Sequence, residues 1–271
     1  MANLKLIAPV IASLLMMGGH IFSQTGLGSQ LAELTRLKGK VADADTKTRV
    51  DALHRVWAIG LASTYSEVKS SVLELLLEPA GSASDHIRMP AVYAIAEIAN
   101  STEDIKVKIK ALAALREPLQ ASQVPIRDVA IDAVNLITRS GNRSDIALEA
   151  VKELGPPVRS GNNGVRIPAI NAIVRAVEGS RNDSACDAAI EFLVAPLDSG
   201  ALIGGMEVRM MAIAAMEKVG LEATEVRTKA KAMGLLQSYA AKSEWEPEAS
   251  RRAKEAATNI AKSMKESANS P

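Results

Sequence analysis

One phrase of apolar and polar residues recurs along the middle of the chain. Each copy begins with an arginine, has alanine three residues later, and has apolar residues at the fourth and seventh positions after the arginine. Those three positions share one face of an α-helix, because the seventh lies four residues after the third and three after the fourth. The pattern therefore predicts an amphipathic helix in each of five copies. The copies begin at Arg49, Arg88, Arg127, Arg166 and Arg209, at intervals of 39, 39, 39 and 43 residues.

A second set of residues keeps the same register and predicts a second helix in each repeat. A leucine and, three residues later, a proline recur every 39 residues. Proline has no backbone N–H, so it is expected to end this helix. A serine or threonine in the preceding turn is expected to cap its start. The leucines are Leu76, Leu115, Leu154 and Leu193, the prolines are Pro79, Pro118, Pro157 and Pro196, and the capping candidates are Thr64, Ser101, Ser144 and Ser184.

The repeated phrase Val-Arg-x-x-Ala-x-x-Ala, as it stands from Val165 to Ala172, resembles the HEAT repeat. The likeness is greatest to the short bacterial repeats also found in phycobilisome lyase-like proteins, and it covers about residues 46–242. It implies an all-α, armadillo-like helical fold. In such an α-α superhelix, or HEAT-like solenoid, paired antiparallel helices stack side by side and the second helices usually line the concave face. The family includes scaffolds, adaptors and a few enzymes.

The ends of such a stack need helices of their own, because a two-helix repeat cannot bury its apolar face alone. Leu31, Leu34 and Leu37 predict an N-terminal cap helix, and the highly charged stretch 248–264 predicts a C-terminal one with a solvated face. The predicted organisation is a signal peptide at 1–23, a cap helix and linker at 24–45, about five two-helix repeats at 46–242, and a cap helix with a disordered tail at 243–271.

The first residues combine one positive charge, a short apolar run and a small residue, which is typical of a secretory signal peptide. Lys5 precedes the apolar run 6–17, and cleavage is expected just after Ser23. The predicted location is therefore secreted or periplasmic. The alternative is an uncleaved anchor, since residues 6–22 reach the lower limit of a membrane span. In that case the chain would be a membrane-tethered structural protein, and only then is a membrane expected as a partner.

Composition narrows the possible partners. The chain has 32 basic and 31 acidic residues, a net charge of +1, and 3% aromatic residues. A nucleic-acid surface needs a continuous basic stripe with stacking aromatics, so nucleic acid is not expected as a partner. Cys186 is the one cysteine, which excludes an internal disulfide. We expect a monomer that is stabilised by packing.

The sequence contains no motif typical of catalysis or metal binding. The histidines after the predicted signal peptide, His54 and His86, are followed by Arg55 and Ile87, so the His-Glu pairs of HEAT-built di-iron hydroxylases are missing. We therefore expect no cofactor, no metal and no enzymatic activity. The alternative is an enzyme, or a lyase-like enzyme subunit, with an undetected site. Cys186 is interpreted as a packing residue, and a reactive thiolate near a helix start is the alternative.

The repeat arginines form the first candidate set. At one structural position, each guanidinium is expected to bond loop carbonyls or a neighbouring carboxylate, which is a structural role. The alternative is a row of cations that binds an acidic partner. The set comprises Arg49, Arg88, Arg127, Arg166 and Arg209.

The second helices differ between repeats and form the second candidate set, a binding groove for a protein or peptide. Their charges are basic in repeat two and acidic in repeats three and four. We expect a non-enzymatic binding or scaffold protein that uses this groove. The alternative is an ordinary solvated helix surface. The groove candidates are Lys106, Lys108, Lys110, Arg116, Glu149, Asp187 and Glu191.

Overall fold

A computed structural model describes residues 26–139, 143–198, 205–243 and 246–268, which form thirteen helices and no strand. Four of these helices lie before residue 101 and nine follow it. The helices are α1 (Leu27–Val41), α2 (Thr46–Ala62), α3 (Ser66–Ala80), α4 (Asp85–Asn100), α5 (Ile105–Ala114), α6 (Arg116–Leu119), α7 (Val124–Arg139), α8 (Arg143–Val158), α9 (Asn163–Val177), α10 (Asp183–Asp198), α11 (Gly205–Glu222), α12 (Val226–Lys242) and α13 (Pro247–Ala268).

The chain divides into two compact units, the first ending at Pro118 and the second beginning at Leu119. In each unit the helices pair as the repeat predicts. In the first unit, the first helices α2 and α4 pack on each other, and so do the second helices α3 and α5. In the second unit, α9 packs between the first helices α7 and α11, and α10 packs between the second helices α8 and α12. Helix α1 packs on α2 and α3, and α13 packs on α11 and α12. The predicted all-α fold of about five two-helix repeats with a helix added at each end is confirmed.

The close approach of the first helices depends on the alanine column. The alanine three residues after each repeat arginine is buried, and the apolar residues at the fourth and seventh positions, such as Ile131 and Val134, are buried with it. The residue at the fifth position, such as Asp132, is exposed or half-buried. The helix faces therefore follow the sequence pattern. The buried alanines are Ala52, Ala91, Ala130, Ala169 and Ala212.

Replacing Ala130 by Leu adds three carbons to a side chain that has no exposed surface. We expect this overpacking to lower the free energy of unfolding by about 1–3 kcal/mol. The matched control is Asp132→Leu on the exposed side of the same helix, which is expected to cost less than about 0.5 kcal/mol. Denaturant melts of the two variants check this, and equal costs would contradict the assignment of helix faces.

The prolines lie inside the last turn of the second helices rather than terminating them. Helix α3 continues one residue past Pro79, and α8 one residue past Pro157. The missing N–H removes one bond, but the proline carbonyl still accepts, as Pro79 does from Ser82 N at 3.1 Å. Repeat two differs, because its second helix breaks at Leu115 and the proline falls in the separate turn α6.

The helix caps differ from those predicted. Helix α5 is capped by Asp104, whose side chain accepts from Lys106 N and Val107 N, and not by Ser101. Helix α10 is capped by the side chain of Asn182, which accepts from Ala185 N at 2.9 Å, while the predicted Ser184 lies inside the helix. Ser144 is likewise inside α8, and Thr64 precedes a cap residue without a side-chain bond. At α5 and α10 a carboxylate and an amide oxygen, three and two residues from the predicted serines, accept the backbone N–H groups instead of a hydroxyl.

Among the described helices, none combines the length and apolar character that a membrane crossing requires. The predicted signal segment 1–23 and the last residues of the predicted tail lie outside the described residues.

Candidate binding surfaces

Two repeat arginines donate to backbone carbonyls in or next to the turns between repeats. Arg127 donates to Ala121 O at 3.0 Å and to Gly164 O at 3.1 Å, so one side chain connects the loop before α7 to the first turn of α9. Arg166 donates from Nε to Ser160 O at 2.8 Å. Both side chains are buried. These arginines therefore fasten neighbouring repeats and present little charge to solvent.

The arginines of the first and last repeats add a carboxylate partner. Arg49 donates to Val41 O at 3.1 Å and pairs with Glu78 at 2.9 Å. Arg209, with 4% of its side chain exposed, forms a bidentate pair with Glu246, in which Nε lies 2.8 Å from Oε2. Arg88 is half-buried. Arg49 and Arg209 thus connect helices or loops of the fold to one another, which is a structural role.

A column of lysines in the second helices is also buried. Lys69, Lys108 and Lys229 occupy one repeat position, twenty residues after the arginine, and all three are buried. Lys69 Nζ donates to Ser101 Oγ at 2.6 Å and to Gly60 O at 3.2 Å, which places the ammonium near the ends of two first helices. Burial lowers the pKa of Lys69. Lys229 Nζ likewise donates to a hydroxyl, Ser263 Oγ, at 2.8 Å.

Lys108 was predicted as a groove residue, but its side chain is buried. Its side chain is 1% exposed, and Nζ lies 3.4 Å from Glu103 Oε2. A buried ammonium cannot offer its charge to a partner on the surface.

Cys186 occupies the same repeat position as the buried lysines. Its thiol is buried, and burial raises its pKa to about 12, with the carboxylates of Asp183, Glu222 and Asp187 adding to the effect. The side chain is therefore a thiol at neutral pH. A reactive thiolate needs a lowered pKa and solvent access, and this site has neither.

The remaining groove candidates of the first unit lie at the surface. Lys106 and Arg116 are exposed, Lys106 in the first turn of α5 and Arg116 in the separate turn α6. Lys110 is half-buried, with Nζ 2.6 Å from Glu74 Oε1 on the neighbouring second helix. That pair neutralises the charge of Lys110, and Arg116 also has an interaction partner.

The groove candidates of the second unit are paired as well. Glu149 accepts from Lys152 within α8 at 2.6 Å. Lys231 lies 3.5 Å from Asp187 and 2.9 Å from Glu191, so it joins α12 to α10. The hydrogen bond from Lys231 lowers the pKa of the Glu191 carboxyl. The acidic second-helix surface is thus largely balanced by lysines of this chain.

A half-open cavity lies on the opposite side of the second unit, among the first helices α9 and α11 and the end helix α13. Its volume is about 440 Å³. Each first helix lines it with residues at the spacing of one helix face. They are Asn171, Val174 and Arg175 of α9 with Glu178 directly after its end, and Met211, Ala214, Ala215 and Lys218 of α11, while Glu217 and Arg252 complete the wall.

Some charged side chains around this cavity have partners within the chain and others do not. Glu217 is buried and both oxygens are used, Oε2 by Arg252 and Oε1 by Asn259 at 2.6 Å. Arg175 and Lys218 are exposed, and neither side chain has a hydrogen bond or ion pair with any residue that the structure describes. The cavity therefore offers two cations beside an apolar floor.

Sequence reasoning did not find this cavity. It looked for variation between repeats only in the second helices. A signal was present at the ninth position of the first helices, where Arg175 and Lys218 stand in repeats four and five while repeats one to three have Ala58, Glu97 and Leu136.

Among the described residues, no group of three or more His, Cys, Asp and Glu side chains is placed to hold a metal ion. His54 lies beside Trp57 with ring centroids 6.4 Å apart.

The sequence matches no protein-family model and no curated protein. Among solved structures, an engineered protein is similar over 85% of this chain and 97% of its own, with 19% identity and a TM-score of 0.46. A designed armadillo repeat protein in complex with the peptide (KR)4 is similar over 84% of this chain and 99% of its own, with 21% identity and a TM-score of 0.46. A structure of computationally designed armadillo repeat proteins for modular peptide recognition is similar over 84% of this chain and 99% of its own, with 21% identity and a TM-score of 0.44. At these TM-scores the similarities carry no functional argument.

Proposed function

We propose that this chain is a non-enzymatic scaffold that binds a protein or peptide in the periplasm or extracellular space. The observation that carries the proposal is the cavity of the second unit, where Arg175 and Lys218 stand unpaired beside Val174 and Met211. Binding sites commonly combine an apolar floor with a few polar groups that fix orientation. An open recess of about 440 Å³ suits side chains that project from a larger partner.

The cavity is favoured over the second-helix groove because of how the charges are used. Lys110, Glu149, Asp187 and Glu191 already have partners within the chain, so a ligand would have to compete for them. Exposed pairs of this kind contribute little by themselves. The unpaired cations at the cavity offer recognition without that competition.

The test is a comparison of three baits, each the mature protein, in capture from the native envelope or medium. The wild type is compared with Arg175→Glu/Lys218→Glu and with Lys106→Glu/Arg116→Glu, which makes the same charge change on the second helices. We expect a partner that the wild type and the second variant retain and the first variant loses. Loss with the second variant alone would move the site to the second-helix groove, and a bait that retains nothing specific would contradict the binding function.

Export is the second part of the proposal and has its own expected result. Lys5, the apolar run and Ser23 together form a cleavage signal, so the exported protein is expected to begin at Gln24. N-terminal sequencing of the protein from the periplasm or medium measures this directly. An intact Met1 in the membrane fraction would instead support the uncleaved anchor.

A further inference from the structure

We propose that the occupant of the first-helix cavity is an acidic peptide segment of a partner protein, with a carboxylate at the rim next to an apolar side chain on the floor. This inference rests on the proposed binding function and adds the chemistry of the partner. It follows from which groups around the cavity are occupied and which are not.

The floor selects for an apolar side chain. Val174, Met211 and Ala214 are half-buried and Ala215 is buried, and together they line the recess between α9 and α11. Burying apolar surface against such a floor is favourable in proportion to its area. Methionine is unbranched and adapts its shape, so Met211 can accommodate apolar side chains of different outline.

The rim selects for negative charge. The Arg175 guanidinium and the Lys218 ammonium are donors without an acceptor among the described residues, and the exposed Asn171 amide stands on the same face of α9 as Arg175. A guanidinium binds a carboxylate through two parallel hydrogen bonds, which fixes orientation as well as charge.

A basic segment would meet few acceptors at the same place. Both oxygens of Glu217 are used by Arg252 and Asn259, and Glu178, the other carboxylate of the wall, also has an interaction partner within the chain. Neither carboxylate is therefore free for a ligand. A basic segment would also place like charges against Arg175 and Lys218, which is unfavourable. The charge complement of the cavity is therefore an acidic segment.

The same positions in the first unit have different chemistry. The ninth repeat position is Ala58 in α2 and Glu97 in α4, where the later repeats have Arg175 and Lys218. Burial raises the pKa of the Glu97 carboxyl. Recognition of an acidic segment thus belongs to repeats four and five alone.

The experiment selects a phage-displayed library of random linear peptides on the immobilised full chain. Enriched peptides are expected to carry net negative charge together with apolar residues. The Kd of an enriched peptide, measured by fluorescence polarisation, is expected to rise at least about 10-fold with Arg175→Gln/Lys218→Gln and to rise with added salt. Lys106→Gln/Arg116→Gln, the matched control, is expected to change the Kd less than about 2-fold.

A thermodynamic cycle then tests the contact itself. Replacing the peptide's acidic residues by their amides should weaken binding to the wild type by a similar factor. The two losses should not add when the amide peptide meets Arg175→Gln/Lys218→Gln, because both changes remove one interaction. Circular dichroism melts show whether each variant remains folded.

The outcomes separate this inference from the proposed function. Enrichment of basic or uncharged peptides, or of acidic peptides whose Kd does not change with Arg175→Gln/Lys218→Gln, would overturn the acidic occupant and leave a binding protein. Additive losses in the cycle would also overturn it. A selection that enriches nothing above an empty surface would contradict the peptide-binding function itself.

Discussion

We expect Glu246→Ala to lower the free energy of unfolding by about 3–5 kcal/mol, the usual cost of breaking a buried ion pair from one side. Glu246 and Arg209 are 7% and 4% exposed at their side chains. Glu246 Oε2 accepts from Arg209 Nε at 2.8 Å and from the Tyr239 hydroxyl at 3.0 Å. The substitution leaves the guanidinium buried without its counter-charge and the hydroxyl without its acceptor.

The matched control is Glu255→Ala in helix α13. Glu255 accepts from Arg251 at 2.7 Å, but both side chains are about half exposed or more, at 49% and 67%. Exposed pairs are worth at most about 1 kcal/mol, so this variant should lose little stability. Urea denaturation of both variants measures the difference. Similar losses would mean that the Glu246 pair is not desolvated in solution.

Replacing both members of the buried pair gives a second measure of the same contact. Arg209→Met combined with Glu246→Leu removes both charges, so neither partner is left unpaired. The double variant is expected to be more stable than Glu246→Ala alone, although Tyr239 still loses its acceptor. A double variant less stable than the single one would show that side-chain shape, and not charge, dominates at this place.

The fold could be predicted from the sequence because its determinants recur. Helix packing in each repeat requires a small residue at the closest approach, so an alanine such as Ala130 returns at one position with apolar neighbours such as Ile131. A helix face depends only on the local spacing of apolar residues, so it can be predicted without knowledge of tertiary contacts. The cap residues could not be predicted in this way, because several polar residues in each turn can accept the same backbone N–H groups.

The candidate site was harder to predict, because it depends on positions that vary. Arg175 and Lys218 can be identified as candidate binding residues only from the structure, which places α9 and α11 side by side and pairs Glu217 with Arg252. Sequence alone does not show which charges are paired. It therefore placed the binding surface on Lys110, Glu149 and Glu191, which the fold pairs internally.

The burial of Lys108 could have been predicted from the repeat pattern in the sequence. Lysine at the surface of a helix is normally solvated, and that prior assigned Lys108 to the groove. Yet Lys69, Lys108 and Lys229 share one repeat position, as the repeat arginines share another. Recurrence at one structural position indicates a common structural role. The same logic that favoured structural arginines applies to these lysines.

The consequence is that Lys108→Glu should be strongly destabilising while Lys106→Glu, two residues earlier, should not. Lys108 is 1% exposed and lies 3.4 Å from Glu103, so the reversal buries a carboxylate against a second carboxylate. We expect a loss of about 3 kcal/mol or more in the free energy of unfolding.

Lys106 has an exposed side chain at the start of α5, and its substitution should cost less than about 0.5 kcal/mol. A third variant, Lys108→Met, keeps the aliphatic stem and removes the charge. It should lie between the two, because Glu103 loses its donor but no new negative charge is buried. Thermal and urea melts of the three variants give the order directly. If Lys108→Glu were as stable as Lys106→Glu, the lysine column would be solvated and Lys108 would return to the set of residues available to a partner.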